Sequence, residues 1–492
     1  MALATNVRMD QWDWDYFLTV RHEVLRQWPT GDELMDPATL DESVARQREQ
    51  PWWKFASLRN EQAMKEDRLQ LVPSCGHALV EQVSDHIHES EDLKPDRWHV
   101  FTDTYSRKCQ FAKSQDAIER SRRDGFSYLN GYPIVLHGVA GARALNESTT
   151  VPLSTDGNDE DARLAWEIAL AGGWTCGTIK SIEQVIQHSR DYPLELMIYN
   201  HQYIDRLTAY FNERGVPILR RDFANLSGWD TLGFKVAVGV IQGLLAAAQG
   251  TKYMDLGIAT GMGMVQDVAG IQVVSKLAPE YFERFGFHNV HVYPWAYNYV
   301  GDWPREPISM AGQIAWNTAV AALAGCNGCQ IKSPDEARTT VTGKGNREAM
   351  LVAAQIARLL KGQRLPESEE LSLEREMIEK EARAILEKVL ELGDGDVALG
   401  ACRAVEAGVL DTVFSPWLPL RSQVKLVRDA RGAVRYLDHG NVPLPPEVIE
   451  YHRSRIAERE RRENTTADLD WVIQIPTWAS RPLSEEAAER PY

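Results

Sequence analysis

The 492-residue chain has few cysteines, no long uncharged apolar run and no excess of basic residues. Six cysteines are too few for a disulfide framework, which favours a reducing cytoplasm. No segment reaches the ~18 uncharged apolar residues of a membrane span, and the N-terminal MALATNVRMDQWDWDYF lacks the apolar core of a signal peptide. The 70 acidic and 54 basic residues give a charge of −16, which argues against binding to nucleic-acid phosphates. We therefore expect a soluble enzyme, a carrier or a large interaction domain.

From about residue 68 onward, short apolar runs alternate with longer helical patterns, which is typical of parallel β/α units. Nine of these runs are candidate strands: Leu69–Pro73, His99–Asp103, Pro133–His137, Val151–Ser154, Trp174–Ile179, Val216–Leu219, Tyr253–Ile258, Val290–Tyr293 and Gly328–Lys332. Eight strands close a (β/α)8 TIM barrel, so we expect this α/β fold with one run that is not a strand. A doubly wound open sheet is the alternative, but no G-x-G-x-x-G motif follows an early strand.

The composition changes on both sides of the predicted barrel. Residues 1–62 form an aromatic, partly helical arm that we expect to pack onto the barrel, which spans residues 63–365. Residues 366–481 form a C-terminal α/β extension, which opens with a charged helix over Glu367–Leu392 that ends at Gly393. Residues 482–492 form a tail. The sequence thus predicts one large barrel with an extension at each end.

Two short motifs resemble metal or redox sites, but each has a plainer interpretation. Cys326-Asn-Gly-Cys329 has zinc or redox spacing, yet the chain has no second pair of ligands at matching spacing. We interpret it as two small apolar side chains at a helix-to-strand junction. His86-x-His88 lies in a predicted helix, where residues two apart diverge, and we expect two surface histidines.

Four segments at predicted strand ends are candidates for binding an anion. The loop from Gly257 to Gly263 either cradles phosphate or lets a bulky ligand approach the backbone, and Thr342-Gly-Lys344-Gly345 predicts a mobile loop. Lys332-Ser-Pro-Asp-Glu336 fits an active-site loop or an ordinary capped helix start. Arg107 is placed to bind a carboxylate at the end of a barrel strand. On these residues alone, the chain is an α/β-barrel enzyme that binds an anionic substrate.

Longer stretches resemble the large, epsilon subunit of glutamate mutase, also called methylaspartate mutase, from about Val20 to Asn464. They share rare residue combinations in the same order and spacing: Arg26-Gln-Trp-Pro-Thr-Gly31, Leu129-Asn-Gly-Tyr-Pro133, Ala171-Gly-Gly-Trp-Thr175, Gln202-Tyr-Ile-Asp-Arg-Leu207, Ala321-Ala-Leu-Ala-Gly325, Lys332-Ser-Pro-Asp-Glu-Ala337, Gly362-Gln-Arg364, and Val427-Arg-Asp429 through Val434-Arg-Tyr-Leu437 to Gly440-Asn-Val-Pro443. The resemblance implies a TIM barrel that holds adenosylcobalamin at the C-terminal ends of its strands. It also implies a radical rearrangement of a carbon skeleton, whose hard chemistry the cofactor supplies.

The resemblance further implies a small partner subunit that supplies a histidine to cobalt through an Asp-x-His-x-x-Gly motif. None of the twelve histidines in this chain has an aspartate two residues before it, as expected for a large subunit. We therefore expect an obligate small cobalamin-binding subunit at the barrel mouth, in a heterotetramer of two large and two small subunits. The expected substrate is a small carboxylate, with no metal site in this chain and no role for nucleic acid or membrane.

On the cofactor side, the resemblance carries five residues over from the family. Asn130, Lys332 and Glu336 match residues that hold the cofactor, whereas Trp303 stands where the family has Phe and Thr340 where it has Ile. Lys332 and Glu336 can bind ribose hydroxyls through charge-assisted hydrogen bonds. The resemblance therefore implies an intact cofactor side.

The substrate side departs from the family, which binds the two carboxylates of glutamate with three arginines. Arg107 matches one of them, whereas His77 and Asp156 stand at the other two positions. Three further substrate positions also differ from the family, and here they read Thr178, His188 and Tyr297. An Arg→Asp change turns attraction into repulsion for a carboxylate, which costs several kcal/mol in a water-poor pocket.

These differences lead to a hypothesis with two alternatives. In the hypothesis, the chain keeps the radical mechanism but acts on another substrate, with one carboxylate on Arg107 and a cationic or hydroxyl group near Asp156 and His188. The first alternative keeps the conversion of glutamate to 3-methylaspartate in a rearranged pocket. The only arginine close by that could replace the missing one is Arg163, and it already matches a different family arginine. The second is a barrel that has lost catalysis and binds cobalamin or a protein partner.

Overall fold

A computed structural model describes residues 7–155, 160–178, 180–222, 226–336 and 339–480, except for the side chain of residue 222. Eight parallel strands close into a barrel in chain order: β1 Gln70–Cys75, β2 Trp98–Val100, β3 Leu153–Thr155, β4 Cys176–Thr178, β5 Leu219–Asp222, β6 Tyr253–Ala259, β7 His291–Tyr297 and β8 Gly328–Ile331. The barrel closes where β1 pairs with β8, with Gln70 opposite Gly328. The predicted TIM barrel is therefore confirmed.

Helices surround the barrel and fill both ends of the chain. They are α1 Trp14–Leu25, α2 Ala38–Glu49, α3 Ala56–Lys65, α4 Val80–His88, α5 Phe111–Asp124, α6 Ile134–Ser148, α7 Arg163–Ala171, α8 Ile182–His188, α9 Leu194–Glu213, α10 Leu232–Ala248, α11 Met264–Arg284, α12 Pro307–Ala324, α13 Gly343–Leu359, α14 Glu369–Leu392, α15 Val397–Ala407, α16 Pro446–Glu463 and α17 Leu469–Gln474. Within the described ranges, none of these helices is long and apolar enough to cross a membrane.

One of the nine predicted strands is a helix start. Pro133 precedes the first turn of α6, and the apolar residues that follow it are Ile134 and Val135, both buried. Proline is well suited to the start of a helix because its missing N–H would have no partner in the first turn. The run Pro133–His137 therefore resembles a strand only in its apolar composition. Each of the other eight runs overlaps one of the strands β1 to β8.

The N-terminal arm is held on the barrel by a buried ion pair and by aromatic contacts. Arg21 on α1 lies 2.9 Å from Glu167 on α7, and both side chains are almost fully buried. Tyr203 on α9 donates to the same carboxylate at 2.5 Å and stacks on Phe17, with ring centroids 4.9 Å apart. The aromatic residues of the arm therefore pack onto two helices of the barrel layer.

The C-terminal extension covers one side of the barrel and reaches its mouth. Helix α14 packs across α10 and α11, and its Glu381 accepts a hydrogen bond from the Phe234 backbone at 3.1 Å. Strands β9 Lys425–Arg428 and β10 Val434–Asp438 form an antiparallel hairpin. Arg428 of this hairpin donates to the carbonyl oxygens of Gly261 at 2.6 Å and Gly228 at 3.2 Å. The extension therefore fixes the loops that follow β5 and β6, while the boundaries at 62/63, 365/366 and 481/482 stay predictions.

The barrel interior is sealed below the mouth by a layer of large side chains. Val72, Cys176, Leu219, Tyr293 and Trp295 come from four different strands and form one buried cluster, with Ala56 below them. A buried ion pair in the same layer joins β2 to β6, where the Arg97 guanidinium lies 2.8 Å from Asp255 and 4.6 Å from the centroid of the Trp295 ring. As in other barrels of this kind, the interior is a packed core rather than a pore.

Candidate active site

A pocket of about 260 Å³ opens at the C-terminal ends of the strands, between β1, β2, β7 and β8. Six of the eleven predicted site residues line it: Arg107, Asn130, Tyr297, Lys332, Glu336 and Thr340. A neighbouring cavity of about 570 Å³ shares Lys332 and Glu336 with the pocket and is lined by Trp303. The structure thus brings the predicted cofactor residues together at the mouth of the barrel.

Lys332 and Glu336 form an ion pair on the loop that follows β8. The Lys332 Nζ lies 3.2 Å from the Glu336 carboxylate, and both side chains keep about a fifth to a quarter of their surface exposed. Burial opposes the lysine charge, but Glu336 beside it raises the pKa of Lys332 above its ordinary value. The same ammonium lies 5.4 Å from the centroid of the Trp303 ring. Lys332 is therefore charged at neutral pH, and the pair offers one donor group and one acceptor group to a ligand.

The segment after this loop is more ordered than the sequence predicts. Thr342 caps α13, since its hydroxyl oxygen accepts from the Gly345 N–H at 3.0 Å and donates to Asp335 at 2.6 Å. The prediction of a mobile loop over Thr342–Gly345 is wrong, because a threonine before two glycines meets the requirements of a helix N-cap. This cap ties the helix start to the loop that carries Glu336.

Arg107 and Asn130 lie on two loops that touch each other above β2. Arg107 donates from Nε to the Thr102 carbonyl at 2.8 Å. The Asn130 side-chain oxygen accepts from the Thr104 hydroxyl at 3.0 Å. A Cβ at Gly131 would lie 2.5 Å from the backbone nitrogen of Asp103, so only glycine fits between these loops. Gly131 of the Asn-Gly-Tyr-Pro sequence therefore allows the two loops to approach closely, and this approach places Asn130 at the pocket.

The floor of the pocket is polar, and the sequence did not single out its residues. Arg221 on β5 is fully buried and donates to three side chains: His99 Nδ1 at 2.9 Å, Ser154 Oγ at 2.8 Å and Gln330 Oε1 at 2.6 Å. Gln330 in turn donates to Ser74. Ser74, His99 and Gln330 line the pocket. The available signal was a period of two, since Ser74 and Arg221 lie two positions after Val72 and Leu219, which belong to the lower layer of the same strands.

His77 follows the end of β1, is not among the residues that line the pocket, and contacts a buried histidine. Its Nε2 is 2.8 Å from Nδ1 of His86, whose other ring nitrogen is 2.6 Å from the Asn346 amide. Burial, and then His77, lowers the pKa of His86 to about 3, so this ring is neutral at pH 7. His86 packs on Trp98 and is not a surface residue, whereas His88 is exposed as expected. The expectation of two surface histidines is therefore wrong for His86, because α4 turns that side of its last turn toward the barrel.

Two of the three remaining substrate positions, Thr178 and His188, are described by the structure. Thr178 is buried at the end of β4, and His188 is exposed at the end of α8. Neither is among the residues that line the pocket. Asp156 lies outside the described residues. The roles that the resemblance gives to these three residues stay predictions.

Two other motifs have structural explanations. Cys326 and Cys329 are buried free thiols next to the start of β8, and burial raises the pKa of Cys329 to about 12. In the loop after β6, the Gly261 N–H donates to Asp267 at 2.6 Å and the Gly261 carbonyl accepts from Arg428, so this part of the backbone is used within the protein. In the described part of the chain, no three His, Cys, Asp or Glu side chains are grouped as metal ligands.

The fold and the site together define an α/β-barrel protein with a polar pocket at the C-terminal mouth of the barrel. The sequence profile of the methylaspartate mutase E chain family matches residues 51–478. A glutamate mutase epsilon subunit of Desulfitobacterium hafniense (strain Y51) is 37% identical over 461 residues, covering 93% of this chain and 94% of that protein. The corresponding protein of Escherichia coli O157:H7 is 34% identical over 463 residues, covering 93% and 95%.

The chain therefore belongs to the methylaspartate mutase E chain family, and the resemblance seen in the sequence is confirmed. Among solved structures, a phospho-2-dehydro-3-deoxyheptonate aldolase of Thermotoga maritima matches 60% of this chain and 72% of its own. Its sequence identity is 11% and its TM-score 0.34, so it supports no comparison of function. Membership in the family makes the chain a glutamate-mutase-like subunit, and the epsilon designation of its relatives implies a separate partner subunit.

Proposed function

We propose that the chain is the large subunit of an adenosylcobalamin-dependent isomerase that acts in the cytoplasm on an amino acid or related carboxylate other than glutamate. The observation that carries this proposal is the position of the Lys332–Glu336 ion pair. The pair lies between the pocket lined by Arg107 and the larger cavity lined by Trp303. A cofactor group held by the pair would therefore lie next to a substrate held by Arg107.

The residues at the mouth fit the adenosyl part of the cofactor. A ribose presents hydroxyl groups that both donate and accept, and the ion pair offers an ammonium donor and a carboxylate acceptor 3.2 Å apart. Trp303 offers an aromatic surface, and Asn130 offers an exposed side-chain amide at the pocket. Thr340 lies at the same wall of the pocket. When bound, adenosylcobalamin would supply the radical that removes and returns a substrate hydrogen.

The cobalt ligand would come from a small subunit that carries an Asp-x-His-x-x-Gly motif. Such a subunit would bind over the mouth, in a heterotetramer of two large and two small chains. The packed layer under the pocket, with Trp295 and Leu219, closes the barrel from the other side. Together, the two surfaces would keep water away from the reacting carbon atoms.

The substrate would place one carboxylate on Arg107, which lies half-buried at the pocket. The loss of two of the three family arginines, at His77 and Asp156, is the reason to propose a substrate other than glutamate. In this proposal, a cationic or hydroxyl group of the substrate lies near Asp156 and His188, while Thr178 and Tyr297 shape the remaining wall. The second candidate is the family reaction itself, glutamate to 3-methylaspartate, and it is favoured by the additional buried cation Arg221 below the pocket.

One experiment separates these functions. The large subunit is mixed with its small subunit and adenosylcobalamin, amino acids and hydroxy acids are added singly, and cob(II)alamin is followed by absorbance and electron paramagnetic resonance. A signal with an acid other than glutamate supports the proposed function. A signal with glutamate alone contradicts the proposal that the substrate is not glutamate. Binding of the cofactor without a signal for any acid contradicts the proposed reaction and favours a non-catalytic barrel.

A further inference from the structure

A second cavity lies at the end of the barrel opposite the candidate active site. It measures about 470 Å³ and opens beside the N-terminal ends of β1 and β8, next to α12 and α13. Both helices leave this space because small side chains line it: Ala322, Ala354 and Ala357. Pockets that bind small molecules measure ~300 to 1,000 Å³, so the cavity is large enough for such a ligand.

Asn327 lines this cavity just before β8, and its side chain is a buried amide without a partner. The residue is 4% exposed, and neither Oδ1 nor Nδ2 has a hydrogen-bond partner among the described residues. Its backbone is fixed on both sides, since its N–H donates to the Pro294 carbonyl at 2.7 Å and its carbonyl accepts from the Gln70 N–H at 3.0 Å. An unpaired buried polar group costs ~1 to 3 kcal/mol. The amide therefore offers a ligand one donor and one acceptor side by side.

The rim of the cavity is basic, although the whole chain has a charge of −16. Two basic residues of the rim are paired within the protein, because Arg68 lies 2.7 Å from Asp96 and Arg364 lies 2.6 Å from Asp67. Three more are exposed and form no ion pair with a described residue: Lys94, Arg358 and Lys361. An anionic group at this rim would meet positive charge that the described protein does not neutralise.

Two of the stretches that resemble the family contribute to this cavity and not to the pocket at the mouth. Gly325 ends the stretch Ala321–Gly325, Arg364 ends the stretch Gly362–Arg364, and both residues line the cavity. Gly325 adopts φ +77°, in the left-handed region that favours glycine. This turn ends α12 and leads the chain to Asn327. These stretches therefore help to build the second cavity.

We propose that this cavity binds an adenine nucleotide, with the base on Asn327 and the phosphate at the basic rim. An asparagine amide matches adenine because its oxygen accepts from the N6 amino group while its nitrogen donates to a neighbouring ring nitrogen. The walls include Leu71, Leu93 and Leu360, and apolar walls with a few polar groups are typical of small-molecule sites. The site is separate from the mouth, so the inference does not depend on the proposed function.

Calorimetric titration of the full chain with adenosine monophosphate (AMP) tests the role of Asn327. Asn327→Leu keeps a side chain of similar size but removes the donor and the acceptor, so we expect it to lose ~10- to 100-fold in AMP affinity. Purine riboside 5′-monophosphate lacks the N6 amino group and should bind the wild type at least ~10-fold more weakly than AMP. Equal AMP affinities of N327L and wild type would overturn the proposal, and so would equal affinities of the two nucleotides.

A further pair of variants distinguishes this cavity from the mouth, where Lys332 and Glu336 could also hold a ribose. Lys332→Met should keep the AMP affinity of the wild type. Ala357→Leu fills the cavity from α13 without changing a polar group and should abolish AMP binding, which gives a second test that does not depend on the folding of N327L. Loss of AMP binding in K332M, or wild-type affinity in A357L, would overturn the proposal.

The basic rim is tested by removing two of its lysines together. The double variant Lys94→Met with Lys361→Met should lose ~3- to 10-fold in AMP affinity, whereas the weaker binding of adenosine should stay unchanged. Lys344→Met removes a lysine from the opposite end of α13 and should bind AMP as the wild type does. An unchanged AMP affinity in the double variant, or an equal loss for adenosine, would overturn the position of the phosphate. No measurable binding of AMP to the wild type would overturn the whole proposal.

Discussion

Two layers of side chains inside the barrel lie two residues apart on the same strands but have opposite characters. The lower layer has Leu219 on β5 and the Arg97–Asp255 ion pair, and its charges neutralise each other. The upper layer has Arg221 and His99 at the matching positions, and its polar groups open onto the pocket. The difference shows that the same strands supply a packed lower layer that stabilises the barrel and a polar upper layer that forms the floor of the pocket.

The largest expected effect is in the lower layer, where Asp255→Ala leaves Arg97 buried without its carboxylate. Breaking one side of a buried ion pair costs ~3 to 5 kcal/mol, and Asp255 also accepts from Asn60 at 2.5 Å. Chemical denaturation should show this loss of unfolding free energy. Asp438→Ala is the control, because its pair with Lys425 is half-exposed and should contribute less than ~1 kcal/mol. A loss below ~1 kcal/mol for D255A would remove the distinction between the two layers.

At the mouth, Lys332→Met should reduce binding and leave stability nearly unchanged. It removes the ammonium donor of the ion pair with Glu336, and a hydrogen bond to a charged group is worth ~1.5 to 3 kcal/mol, or ~10- to 100-fold in affinity. Titration of adenosylcobalamin into the two-subunit complex, followed by absorbance, measures the change. Lys344→Met removes a lysine with the same spacing to a glutamate, but on the exposed surface of α13. Equal affinities for the two variants would show that Lys332 does not contact the cofactor.

The third expected effect is on the pH dependence of stability, and it comes from His86, which is buried behind β1. Its pKa is lowered to about 3 in the folded chain, whereas an unfolded chain takes up the proton near pH ~6.5. Stability should therefore fall as the pH drops from 6.5 toward 3, by ~2 kcal/mol from this residue between pH 7 and pH 5.

His86→Gln removes this titration, so its unfolding free energy should depend less steeply on pH than that of the wild type. His88→Gln changes an exposed histidine on the same last turn of α4 and should behave as the wild type. Urea unfolding at pH 7 and pH 5 gives both slopes. An H86Q slope equal to that of the wild type would mean that the buried ring takes up its proton without cost.

The smallest expected effect belongs to the changed substrate positions. If Asp156 repels a carboxylate of glutamate, Asp156→Arg should improve glutamate binding by ~10-fold, which corresponds to ~1.4 kcal/mol. The affinity for glutarate measures the effect of the two carboxylates without that of the amine. No gain for either acid would show that Asp156 does not face a substrate carboxylate.

The barrel could be predicted from the sequence because the alternation of apolar runs and helical patterns is a local property of the chain. It failed at Pro133–His137, where an apolar run after a proline suits a helix start as well as a strand. It also failed at His86, because burial there depends on Trp98 and Asn346, which are distant in the sequence. Such contacts follow from the closure of the barrel rather than from any local pattern.

Some residues of the candidate site could also be predicted from the sequence, whereas others could not. Lys332 and Glu336 were predictable because proline and acidic residues mark a loop between a strand and a helix, and the family motif includes them. His99 and Arg221 are single polar residues inside short strands, 122 positions apart in the chain. Nothing local to either residue shows that they meet, since their contact depends on which strands face each other across the barrel.

All 17 residues of α10 are buried, because the barrel lies on one side of this helix and α11 and α14 lie on the others. A barrel helix normally presents one face to water, and this one has no such face left. Removing α14 would expose a contiguous apolar surface of α10 and α11, and we expect the remaining barrel to aggregate. The C-terminal extension therefore cannot be removed or replaced without exposing the buried residues of α10. A smaller version of this protein would have to keep α14 or redesign the whole outer face of α10.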